Sequence, residues 1–423
     1  MARNSYFVFA QPVQNVYNDA STTGNAIGNA TLLQDDRTSS IAGLTSQNNG
    51  DTLLELYLIS EEQKAMESNT SNHTNYKYTQ TDKTVIFTKE QLLALSNIGV
   101  EDDVIIADKI ELSELCDITI FTSKNIIFRE NASITLKNMS IARFGAGIGD
   151  LECRGSECNA TVILENHKHP QIFAEGGGKV YIYYNPAPKI DEETYTHKYH
   201  NPNSYTRNVG SKSSTAYMLV NDINDLQDIT KFLHGNYALS RDIEANKTIS
   251  WDNGNGFAPL ISNKMPFSGH FDGNSFSIMN LFINRPSENN VGLFGIIARQ
   301  KYSPAMISNI KIINATINGS YYVGALAGDA EYVKISNIEI QSSKIFGKDI
   351  VGGLLGTAKD IALMEINLLN NSISANKYKG VLAGSGESIQ IELIDNSREN
   401  CIANIGLIGY SQDTKCLGVD YGV

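Results

Sequence analysis

The chain has 423 residues and a formal net charge of −12, with 34 basic against 46 acidic side chains. No Lys/Arg-rich run interleaves with aromatics, which argues against a nucleic-acid surface, and no apolar stretch reaches the roughly 18 to 20 residues of a membrane-spanning helix. Only 19% of residues are charged and 41% are hydrophobic, with Asn, Ser, Thr and Gly abundant, a balance suited to short strands and turns rather than to a helix-rich cytosolic enzyme. In chain order, residues 1–83 are polar and turn-rich and are read as an irregular N-terminal segment. The apolar run Tyr6 to Ala10 is shorter than a signal-peptide core, so no leader is read there.

Residues 84–186 read as successive strands without a clean repeat: Thr84 to Phe87, Val104 to Leu112, Ile118 to Phe128, Ser133 to Ile141, Thr161 to Leu164 and Lys179 to Tyr184. Residues 187–289 follow as connecting coils, opening with an excursion over 187–215 rich in Pro, Tyr, His, Asn and Ser. Ile223, Leu226, Ile229 and Leu233 then recur at helical spacing behind the N-capping residues Asn221 and Asp222, which predicts one short amphipathic helix lying on the body.

Residues 290–410 repeat. Asn290-Val-Gly-Leu-Phe-Gly295, Tyr322-Val-Gly-Ala-Leu-Ala-Gly328, Ile350-Val-Gly-Gly-Leu-Leu-Gly356, Tyr378-Lys-Gly-Val-Leu-Ala-Gly384 and Asn404-Ile-Gly-Leu-Ile-Gly409 align. Their glycine pairs are Gly292 and Gly295, Gly324 and Gly328, Gly352 and Gly356, Gly380 and Gly384, and Gly406 and Gly409, with first-glycine intervals of 32, 28, 28 and 26 residues. The segment Ile307-Ser-Asn-Ile-Lys-Ile312 recurs 28 residues on as Ile335-Ser-Asn-Ile-Glu-Ile340. Apolar residues at i and i+2 share a strand face, so Ile310, Ile338 and Ile366 are expected in one ladder. One such coil cannot bury its own apolar pair, whereas coils stacked in parallel at strand spacing can; the glycines fit corners where positive φ or close packing excludes a side chain. These features predict an all-β, right-handed parallel β-helix, a solenoid with one short amphipathic helix, ending in a tail over 411–423.

The glycine motifs resemble GLUG repeats, named for a Gly-Leu-any-Gly core and found in large bacterial exoproteins. Lys179-Val-Tyr-Ile-Tyr-Tyr-Asn-Pro186, Ala216-Tyr-Met-Leu-Val-Asn-Asp-Ile-Asn-Asp-Leu-Gln227, Gly235-Asn-Tyr-Ala-Leu-Ser-Arg-Asp-Ile-Glu-Ala245 and Pro266-Phe-Ser-Gly-His-Phe-Asp-Gly273 resemble filamentous-haemagglutinin-type exoproteins, and the resemblance runs over roughly 120–410. It implies a right-handed parallel β-helix, a secretion-domain-like character for 84–186, export through an outer-membrane transporter partner, and a secreted or cell-surface adhesin. The expected partner is a host-cell or matrix glycan or protein. It implies no catalytic residue and no cofactor. The Asn-Pro-Asn-Leu motif of the family's secretion domain is not found, and Asn201-Pro-Asn-Ser204 stands in another context.

Five cysteines leave at least one unpaired within a monomer. Cys116 lies in an apolar run and reads as a buried thiol, while the spacings Cys153/Cys158 and Cys401/Cys416 permit disulfides; the resemblance adds a terminal anchoring loop for the second pair. His167 with His169 and His197 with His200 have the spacing of metal-ligand pairs but no third ligand, so no metal is expected. Tyr195, Tyr199 and Tyr205, following Tyr181, Tyr183 and Tyr184, are the candidate ligand-binding residues, because Tyr with Asn makes adaptable contact surfaces. A polysaccharide lyase or hydrolase on the same fold, and an inert stalk, are the competing functions. Asp252 and Asp272 would be the acid/base candidates of the first, although Asp-Asn-Gly and Asp-Gly also read as Asx turns. Asn131, Asn159, Asn246, Asn314 and Asn318 begin glycosylation sequons.

Overall fold

The computed structural model describes residues 83–393, apart from 98, 150–157, 167, 186–213 and 263–264, together with 411–412 and 415–418. The proposed N-terminal segment and nearly all of the 187–215 excursion therefore lie outside the described residues. The chain divides into two compact units, one containing residues up to Ile148 with Ala160–Ile182, the other containing Ala216–Val423 with Tyr183 to Asn185. Both are built almost wholly from strands, and among the described residues the strands pair in parallel.

In the first unit each pass of the chain delivers short strands to three sheets. Lys83–Ile86, Asp103–Ile106, Ile126–Phe128 and Val162–Leu164 form one. Lys109–Leu112, Ser133–Leu136 and Ile172–Ala174 form the second, and Gly99–Val100, Asp117–Thr122 and Ile141–Ala146 pair in the third. Three runs read from the sequence as single strands are thus each two, and Ile172–Ala174 is additional. The breaks are polar corners. Asp108 Oδ1 accepts the Lys109 amide at 2.7 Å, Asp103 Oδ1 accepts the Asn125 amide at 3.0 Å, and Asn138 turns the chain with φ of 58°. Between corners, alternation carries Ile86, Ile106, Phe128 and Leu164 inward in one ladder and Ile110, Ile134 and Ile172 in another.

A helix, α1 (Lys89–Leu95), takes the place that a middle-sheet strand holds in later passes. Thr88 and Gln91 form a reciprocal capping box at its start, and Leu92 and Leu95 bury into the core. It packs on Lys109–Leu112 and so covers an edge that would otherwise offer unpaired backbone groups.

In the second unit the strand Ser214–Val220 leads into α2 (Ile223–Asp228), extended by a 3₁₀ turn, Ile229–Lys231. Asp222 caps it, accepting the Asn224 and Asp225 amides at 2.8 and 2.9 Å, and the four spaced residues Ile223, Leu226, Ile229 and Leu233 are all buried. From Ala305 the passes become regular at 28 residues, after steps of 34 to 36 in the passes that follow the helix. Ile310, Ile338 and Ile366 stand in register, as do Ile312, Ile340 and Leu368, and Ile317, Ile345 and Ile373.

The segment Ile-Ser-Asn-Ile is a corner rather than the beginning of one straight strand. In Ala305–Ile313 the inward residues are Ala305 and Ile307, then Ile310 and Ile312. Asn309, at φ of 57°, breaks the two-residue alternation, so both flanks face the core. Asn337 and Glu365 hold the same conformation in the next two passes. Asn tolerates it better than most side chains, and here it also bonds along the stack: Asn337 Nδ2 donates to Asn309 Oδ1 at 2.8 Å, and Asn309 Nδ2 to Asp272 Oδ1 at 2.9 Å. A second such file links Asn314 to Asn280 at 2.6 Å and Asn280 to Glu244 at 2.9 Å.

None of the described repeat glycines has positive φ. Close approach is the reason for them: a Cβ on Gly324 would lie 2.5 Å from the Ala327 carbonyl oxygen and 2.6 Å from Leu355 Cα. Gly328, Gly356 and Gly384 likewise meet backbone of the preceding motif, and Gly406 and Gly409 fall outside the described residues.

A candidate ligand groove beside an inserted loop

The 32-residue first interval has a local cause. From Phe294 to Ala327 the register step is 33, whereas from Ala305 to Val333 it is 28. The excess lies between Ala298 and Ala305, where a loop over 299–304 replaces a corner of one residue, Tyr332, in the following pass. The Gln300 carbonyl and Ser303 amide close the loop at 2.9 Å, and Tyr302 at its tip is 95% exposed.

His270 holds the base of this loop from below. Its Nδ1 accepts the Met306 amide at 3.1 Å, and its Nε2 lies 3.2 Å from Arg299 Nη1. With Nδ1 accepting, the neutral ring carries its proton on Nε2, and a second proton would have to go on Nδ1, against the Met306 amide. Burial first, and then the Arg299 charge, push the imidazole down to about 4.

Beside the loop runs a groove of about 260 Å³. Lys301 and Pro304 form one wall. The rest comes from three successive passes: Tyr332 and Lys334, then Asp360 and Ala362, then Ser388 and Gln390. Tyr332, Asp360 and Ser388 are corner residues with φ of 52°, 48° and 53°, and Lys334, Ala362 and Gln390 are register partners on the strands that follow. Ala362, between two long side chains, leaves the depth. Neither Lys301 nor Lys334 has an ion-pair partner among the described residues, whereas the nearby Lys359 reaches Glu331 at 3.9 Å.

The candidates read from the sequence are placed as follows. Tyr195, Tyr199 and Tyr205 lie outside the described residues, as do Cys153, Cys401, His167, His197 and His200. Tyr181 is half-buried under Arg143, Tyr183 is buried and stacks on Tyr217 with ring centroids 5.1 Å apart, and Tyr184 is buried, so none of these three presents an open ring. Cys158 is disulfide-bonded, with Arg241 Nη2 3.4 Å from its sulfur. Only the backbone of Cys416 is described, and Cys116 is a free thiol, half-buried rather than buried, just before Asp117–Thr122. His169 is exposed, and among the described residues no group of three His, Cys, Asp or Glu could hold a metal.

Asp272 and Asp252 both have structural partners. Asp272 accepts the Asn274 amide at 3.0 Å, an Asx turn, together with Asn309 Nδ2 and, at 2.9 Å, the Tyr183 hydroxyl. Asp252 pairs with the buried Arg285 guanidinium at 2.8 Å. Of the acids on regular strands, Glu339 stands between Lys311 and Asn367 in register. The groove residues Lys301, Lys334, Asp360, Ser388 and Gln390, and the clamp His270, were not singled out from the sequence. The available signal was the first interval of 32 against 28, which marks an insertion where the repeat otherwise allows none.

No family model matches the chain, and no solved structure matches it. Halomucin of Haloquadratum walsbyi is 34% identical over 139 residues, 30% of this chain and 1% of that protein. A putative Gly-rich membrane protein of Evansella cellulosilytica is 35% identical over 79 residues, 18% of this chain and 9% of that protein. The chain therefore spans a small fraction, 1% and 9%, of the length of the curated relatives it matches.

Proposed function

We propose that the chain is a right-handed parallel β-helix, secreted or held at a bacterial surface, that works as a non-catalytic adhesin of filamentous-haemagglutinin type. Its partner is a glycan or protein on a host or neighbouring cell, and an outer-membrane transporter exports it. The observation that carries this reading is a regular 28-residue lattice with an inserted loop at its start and an open polar groove beside that loop. Stacked parallel strands supply a rigid ruled face, and function on such scaffolds sits where loops depart from the rule. The polar groups of the lattice itself largely bond one another along the stack. A cell-envelope location fits the likeness to a protein described as a Gly-rich membrane protein.

Titrating the full chain over immobilised host-cell membranes, matrix glycans and bacterial cells tests the reading. Saturable binding to at least one surface is expected. Lack of saturable binding to any of them overturns the adhesin and leaves a stalk.

A further inference from the structure

Taking the adhesin reading as its premise, we infer that the groove beside loop 299–304 is a subsite for a glycan carrying an isolated carboxylate, a uronate unit flanked by neutral sugars. The length is one argument. Its lining residues come from three adjacent parallel strands, so the floor extends over two strand spacings, roughly 10 Å, comparable to two linked sugar rings. A volume of about 260 Å³ suits a shallow bed for one or two rings rather than an enclosing pocket.

Charge placement is the second argument. Lys301 and Lys334 put two ammonium groups at the loop side, with no ion-pair partner among the described residues. One pass further on stands Asp360, and beyond it Ser388 and Gln390. An ammonium recognises a carboxylate as a point charge, whereas a carboxylate, a hydroxyl and an amide recognise sugar hydroxyls and acetamido groups. A densely sulfated chain would set its second charge against Asp360. A wholly neutral chain would gain nothing from the two ammonium groups. Tyr302, next to Lys301 in the loop and almost fully exposed, offers an open aromatic face on which a sugar ring can lie.

Calorimetric titration of the full chain with a hyaluronan tetrasaccharide, its carboxyl-reduced neutral form and a heparin tetrasaccharide tests this. The expected order is hyaluronan at least tenfold tighter than either of the others. The double substitution Lys301→Ala with Lys334→Ala should remove that preference, and Lys359→Ala, on a lysine paired with Glu331 outside the groove, should leave it intact. Equal binding of the neutral form, preference for heparin, or no binding of any of the three overturns the subsite. So does hyaluronan binding that survives the double substitution. Those results separate from failure of the adhesin itself, because a chain that still binds cells or other glycans remains an adhesin without this subsite. Circular dichroism on each variant excludes loss of fold as the cause.

Discussion

The two units solve the same packing problem in opposite ways. In the first, register steps vary: Val85, Ile105, Ile127 and Ile163 are neighbours at separations of 20, 22 and 36 residues. Its corners lie in loops between short strands, and large side chains of differing shape fill the interior, as where Phe128 meets Phe144 edge-on at 5.5 Å. In the second, the passes from Ala305 to Leu393 step by 28, corners there are single left-handed residues inside long strands, and backbones touch at glycines. Variable loops tolerate irregular spacing because side chains can repack. A fixed step leaves the backbone itself as the contact, and there no side chain can be accommodated.

That contrast can be broken at its glycines first. Gly324→Ala puts a methyl against backbone of two passes and should cost about 4 kcal/mol or more. Gly145→Ala in the first unit meets the Phe121 ring, 2.7 Å from the built position, and should cost about 1–2 kcal/mol because the ring can shift. Chemical unfolding followed by tyrosine fluorescence measures both, and equal losses would remove the distinction. The interiors, by contrast, should answer alike. Ile338→Ala and Ile134→Ala, each in the middle of a buried ladder, should each lose about 3 kcal/mol.

A smaller effect belongs to the corners. Asn337→Ala loses both the tolerance of φ at 53° and the bond to Asn309, and should cost about 1–2 kcal/mol, whereas Asn337→Gly keeps the conformation and should cost less than 1 kcal/mol, roughly. Equal losses would mean that the side-chain file, which both variants remove, and not the backbone conformation sets the corner. The smallest is a pH effect at the loop clamp. The His270 imidazole sits at about 4 in the fold, below its ordinary value of 6.5, so the unfolded chain binds this proton first as pH falls. Its contribution is complete above pH 6.5 and is lost between 6.5 and about 4, about 1 kcal/mol once the ring's partial exposure is allowed for. His270→Gln should flatten that part of the stability profile, and an unchanged profile would remove the clamp.

The lattice was legible because its signals are short-range: the Ile310, Ile338 and Ile366 ladder follows from spacing alone, and α2 from four apolar residues behind a capping Asp. The Asn309 corner was harder. Ile307-Ser-Asn-Ile310 reads as one apolar strand unless Asn is granted a left-handed conformation, and that choice depends on neighbouring passes. Helix α1 escaped the reading because seven residues between two strands carry only two buried leucines, too few to show a helical period. The groove was the least legible. Lys301, Lys334 and Gln390 belong to different passes, and only the stacking, together with an insertion visible as four extra residues in one interval, brings them together.

Binding without chemistry is the central claim, and the most direct measurement of it follows one glycan through both questions. Full chain is incubated with each surface glycan it retains, and the retained fraction and the reducing ends released into solution are measured together. The account predicts saturable retention with no new reducing ends and no unsaturated products over many hours. Release of either kind of end from a retained glycan would contradict it and make the chain an enzyme.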